Sequence, residues 1–118
     1  MPMAAAPGVR GDRREAAPRD PCCSLYHQAV ELIGKRWSGA ILLVLMGGPA
    51  RFSEIKGLVP EISDRLLSER LKELEAERLV ERRVMESVPV AVEYALTDKG
   101  RALEPALRGL KSWAHDWL

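Results

Sequence analysis

The sequence predicts an α+β domain that is mostly α. Three observations predict it. Apolar residues recur at helical spacing in short stretches between residues 24 and 77, the period changes to two over 80–96, and a helical pattern returns after Thr97. At 118 residues the chain is long enough for one domain with a buried core.

Residues 1–21 hold four prolines, two glycines and four arginines, with no Leu, Ile or aromatic residue. A segment so poor in apolar surface cannot offset its ordering entropy, so it is expected to be a disordered tail ahead of a domain at 22–118. The first helix begins at Ser24, a candidate N-cap. Leu25, Ala29, Leu32 and Ile33 share a face, and Gly34 marks the stop. The second covers 38–46 and is apolar almost all round, which predicts burial, and Gly47-Gly48-Pro49 ends it. Arg51-Phe52 reads as a stub of strand. Ser53 opens a brief third helix that Gly57 and Pro60 close.

The fourth helix is the clearest. Ser63 caps it, Leu66, Leu67, Leu71 and Leu74 form the apolar stripe, and it ends near Glu77 and Arg78. Alternation over 80–85 and 92–96, with a loop near Pro89, predicts a two-stranded hairpin. Thr97 caps the last helical run, through Gly100, Leu103, Leu107, Leu110, Trp113 and Trp117. Pro105 should end a first segment or kink it. This order is that of a winged helix-turn-helix. The third and fourth helices form the helix-turn-helix pair and the hairpin is a two-stranded wing.

A helical wheel that buries Leu67, Leu71 and Leu74 turns Arg65, Ser68, Glu69 and Lys72 outward. Two cations and a hydroxyl suit a helix lying in the major groove of double-stranded DNA. Arg takes guanine in a bidentate contact, Ser donates to base or phosphate, and Lys neutralises phosphate. Ser63, Arg51, Ser53 and Arg70 are candidates to position the backbone, with Arg82 and Arg83 supporting from the hairpin. The wing loop over 87–91 carries no cation, and residues 51–83 hold eight basic against eight acidic residues. The expected salt dependence of DNA binding is therefore shallow. A winged-helix module that binds protein partners and no longer binds DNA remains the alternative.

Composition excludes several classes. The two cysteines, Cys22 and Cys23, cannot frame a disulfide-stapled fold, and the N-terminus has no secretory h-region. The longest uncharged apolar stretch, 38–50, is broken by Gly39, Gly47, Gly48 and Pro49, so no membrane span is expected. A cytoplasmic protein follows. No nucleophile–base spacing, Gly-rich phosphate loop or HExxH motif points to an enzyme or a cofactor. Cys22, Cys23 and His27 do not have structural zinc spacing, so no metal is expected.

Six segments in register resemble one family. Leu32-Ile33-Gly34-Lys35-Arg36-Trp37 matches its LIGxRW signature. Arg51-Phe52-Ser53-Glu54-Ile55 follows, then the run from Ile62 through Glu75. Leu79-Val80-Glu81-Arg82, Val92-Glu93-Tyr94-Ala95-Leu96-Thr97 and Gly100-Arg101-Ala102-Leu103 complete the set. The chain is thereby similar to the HxlR-type regulators, within the MarR-like winged-helix proteins, over residues 23–117.

The resemblance implies a homodimeric transcriptional regulator on a pseudo-palindromic operator, with the fourth helix as recognition helix. It also implies N- and C-terminal dimerisation helices, which places Leu25, Trp113 and Trp117 at the interface. Cys23 matches the family's N-terminal cysteine, which in some members senses electrophiles or oxidants; a small-molecule effector is a separate expectation. Cys23, with Cys22 beside it, is the redox-sensing candidate, since a helix N-terminus stabilises a thiolate. Two departures stand out. Ala91 sits where the family often has a wing arginine, and Arg78 where it usually has glycine.

Overall fold

The computed structural model describes residue 19 and residues 23–118. Cys22 and the tail expected at 1–21, Arg19 apart, lie outside the described residues. The chain runs α1 (Ser24–Ile33), α2 (Ser38–Met46), β1 (Ala50–Arg51), α3 (Phe52–Leu58), α4 (Asp64–Ala76), β2 (Val80–Met85), β3 (Ala91–Leu96), α5 (Asp98–Arg101) and α6 (Glu104–Trp117). This is the winged helix-turn-helix order.

The wing is more than a hairpin. β2 and β3 pair antiparallel from Val80↔Leu96 to Met85↔Ala91. β1 then adds to the far edge of β3 through Ala50↔Tyr94 and Arg51↔Glu93, giving a three-stranded sheet in the order β1-β3-β2. The strand stub lies one residue earlier than expected, and Phe52 is already helical. Arg51, not Ser53, precedes the helix, and its N–H donates to the Glu54 carboxylate at 2.8 Å. Gly57 lies inside α3, and Val59 closes it by donating to the Ile55 carbonyl.

The core sits between α2, α4 and the sheet. Ile41, Leu42 and Leu45 of α2 meet Ile55, Ile62, Leu67, Leu71, Leu74, Leu79 and Val80, all nearly inaccessible to solvent. Burial of each leucine contributes about 2 kcal/mol. One face of α2 departs from the expectation of all-round burial. Ala40, Leu43 and Val44 are only half-buried and line a groove together with residues 58–61.

Two joints orient α4. At its N-terminus the Ser63 Oγ accepts from the Leu66 N–H at 3.1 Å, a side-chain cap worth about 1 kcal/mol. At its C-terminus Arg78 takes the left-handed conformation (φ 61°) and its N–H donates to Glu75. The Arg78 carbonyl accepts from Thr97 Oγ1 at 2.5 Å, and the Glu77 carbonyl from Lys99 Nζ at 2.8 Å. The chain therefore keeps the geometry of a glycine cap without the glycine, at a cost of roughly 1 kcal/mol. Thr97 also caps α5 through the Gly100 N–H. A β-carbon on Gly100 would lie 2.1 Å from the Leu79 carbonyl oxygen, so only glycine admits this approach.

The last helical run divides as Pro105 requires. α5 ends at Arg101, and Pro105 stands in the first turn of α6, where its missing N–H costs nothing. No helix among the described residues is long and apolar enough to cross a membrane.

Candidate nucleic-acid interface

The turn between α3 and α4 presents the outer face of α4 to solvent. Arg65, Ser68 and Lys72 fall on one row at i, i+3 and i+7, Ser68 half-buried and the two cations exposed. The Arg65 side chain is 90% exposed and pairs with Glu69 at 3.2 Å. A pair so exposed contributes little and yields easily to another acceptor. Beside them Ser63 spends its acceptor on the helix cap and keeps its hydroxyl proton for donation. Arg51 and Ser53 are exposed at the start of α3. Asp64, in the first turn of α4, pairs with Lys56 at 3.6 Å.

Arg70 is placed apart from this row. Its Nε donates to the Arg36 carbonyl at 3.0 Å, its Nη1 pairs with Glu73 at 3.2 Å, and its side chain is only 16% exposed. Lys35 reaches the same Glu73 at 3.4 Å. Arg70 thus ties α4 to the link between α1 and α2. The wheel held a signal for this, since Arg70 lies roughly 60° from the centre of the leucine stripe, on the flank and not the outer face.

Arg82 and Arg83 are both exposed but occupy opposite faces of the sheet, as successive strand residues must. Arg82 shares the face of Val80 and stands in register with Tyr94. Arg83 stands in register with Glu93 and pairs with Glu81 at 2.7 Å. One docked duplex cannot meet both in the same way. Between them the loop tip is apolar, with Val88 and Val90 exposed and the Ser87 hydroxyl donating to the Pro89 carbonyl.

At the other end of the molecule Cys23, not Ser24, is the N-cap of α1. Its Sγ accepts from the Tyr26 N–H at 3.3 Å, and the thiol is free and exposed. The helix starts one residue earlier than a Ser24 cap would set it. Leu25, Leu110, Trp113 and Trp117 are exposed on α1 and α6, the last three along one stripe of α6. Among the described residues no group of three or more His, Cys, Asp or Glu is arranged to hold a metal ion.

Sequence and structure comparisons place this architecture among known proteins. A family model described as HxlR-like helix-turn-helix matches residues 32–118. The chain is 48% identical over 96 residues to an uncharacterized HTH-type transcriptional regulator, YvaP, of Bacillus subtilis (strain 168), covering 81% of this chain and 89% of that protein. It is 49% identical over 92 residues to the HTH-type transcriptional regulator YodB of the same organism, covering 78% and 82%. The reduced form of YodB superposes with a TM-score of 0.75 at 46% identity, over 82% of this chain and 95% of that one. YodB has also been solved diamide-treated and quinone-bound. The redox regulator HypR in its oxidized form gives a TM-score of 0.75 at 37% identity, covering 78% and 95%.

Proposed function

The chain belongs to the HxlR-like helix-turn-helix family and is a transcriptional regulator of that type, and from this premise we propose that it acts as a homodimer on a pseudo-palindromic operator, switched at Cys23. The observation that carries the DNA reading is the outward row Arg65, Ser68 and Lys72 on the second helix of the helix-turn-helix. Arg65 reads a base in the major groove, Ser68 and Lys72 contact base or phosphate, and Ser63, Arg51 and Ser53 position the adjoining backbone. Of the hairpin arginines, Arg82 is the one without an ion pair among the described residues. Arg70 serves by holding α4 in place.

Exposed Leu25, Trp113 and Trp117 support the dimer, because a monomer would leave this apolar surface in water. The exposed Cys23 thiol supports the switch, together with the named reduced, diamide-treated, quinone-bound and oxidized states of YodB and HypR. The reaction is either addition of an electrophile to Cys23 or oxidation of the thiol by an external oxidant that takes up the electrons.

The test is binding to the DNA upstream of its own gene against a random duplex, over a salt series, with reduced and then oxidised protein. Specific binding should be lost on oxidation and preserved in Cys23→Ser. Replacing Arg65 by Ala should cost about 1–3 kcal/mol on the operator alone. An unchanged ratio of operator to random affinity in Arg65→Ala refutes the base-reading role. Oxidation that leaves binding intact refutes the switch.

A further inference from the structure

The half-buried face of α2 forms one wall of a groove of about 410 Å³, within the range of small-molecule sites. Trp37, Leu43 and Val44 line one side. Leu58, Pro60 and Glu61 line the other, with Leu58 68% exposed. Glu61 is the sole charged residue of the lining and, among the described residues, makes no ion pair. The Trp37 ring already holds a cation, since the Arg36 guanidinium lies 4.8 Å from its centroid. One aromatic wall, that of Trp37, and one carboxylate complement a positive charge carried in an apolar shell.

The groove is also coupled to α4 from both sides. Val59, Pro60 and Glu61 are the turn that leads to the Ser63 cap. Trp37 sits in the left-handed conformation (φ 78°), and the carbonyl just before it, that of Arg36, is held by Arg70 of α4. A non-glycine residue in that conformation persists only where its surroundings hold it, and here a contact from α4 does so.

We propose that this groove is an effector site for hydrophobic organic cations, whose seating between Trp37 and the turn changes how α4 is held. The coupling to α4 matters for regulation only if the DNA-binding reading above is right, whereas the site itself does not depend on it.

The test is calorimetric titration of the full chain with tetraphenylphosphonium and with tetraphenylborate, two ions of nearly equal shape and opposite charge. The cation should bind at least about tenfold more tightly. Glu61→Gln should weaken it about fivefold, and Glu61→Lys should reverse the preference. Leu58→Arg, at an exposed position that leaves the core intact, should fill the groove with its own cation and abolish binding while thermal unfolding stays as in the parent. Equal binding of the two ions, no binding of either, or indifference to Glu61→Gln overturns the site. Binding that appears only on dilution means that a second copy covers the groove, which also overturns it. In a second arm the cation should weaken operator binding by the parent and not by Leu58→Arg. If both proteins respond alike, the coupling to α4 is refuted. A chain that takes the cation yet binds no duplex overturns the function proposed above and leaves the site standing.

Discussion

Replacing Arg70 by Met separates a brace from a phosphate contact. The aliphatic stem is retained and the guanidinium lost. A hydrogen bond from a charged donor is worth about 1.5–3 kcal/mol. The freed Arg36 carbonyl belongs to an exposed residue and regains water, and the partner Glu73 side chain is 40% exposed, so its pair adds no more than about 1 kcal/mol. The expected loss is about 1–2 kcal/mol, or a fall in Tm of about 5–15 °C for a domain of this size. Thermal unfolding at fixed protein concentration reads this directly. The second readout is the slope of log K against log salt on operator DNA. Each neutralised phosphate contributes about 0.9 to that slope. Arg70→Met should leave it unchanged, whereas Lys72→Met should make it shallower by about 1 with little effect on Tm. A shallower slope and an unaltered Tm in Arg70→Met would refute the brace.

Two further outcomes follow from the joint behind α4. Gly100→Ala drives a methyl group into the Leu79 carbonyl, and the resulting shift of backbone against backbone should cost several kcal/mol, read by urea denaturation. Arg78→Gly should raise stability by about 0.5 kcal/mol, because relief of the left-handed strain exceeds the added freedom of the unfolded chain; a loss of stability would show that the arginine side chain matters there.

The elements that could be read from the sequence are those encoded locally. Ser63 with Leu67, Leu71 and Leu74 specifies α4 by cap and period alone. Pro105 divides the last helical run because a missing N–H acts on its own turn. The strain at Arg78 was legible only through the family resemblance, which implies glycine at that position. What remained hidden depends on distant partners. Arg51 pairs with Glu93, and its two-residue strand is too short to carry a period of its own. Arg70 finds the carbonyl of Arg36 only once α1 and α2 are packed. The composition of α2 says that all its faces are apolar, but not which one stays half-buried.

The Leu79 carbonyl accepts the Thr97 N–H, and Gly100 packs on the same group. Arg78 and Glu77, just past α4, are held by Thr97 and Lys99 in the same way, so the exit from α4 depends on residues reached only after the chain has run out along β2 and back along β3. α4's C-terminus and the wing base then open together, as one cooperative unit. In hydrogen exchange the amides of Thr97 and of the final turn of α4 should share one opening free energy. A lesion in the hairpin would be felt as fraying of the helix proposed above to read the operator.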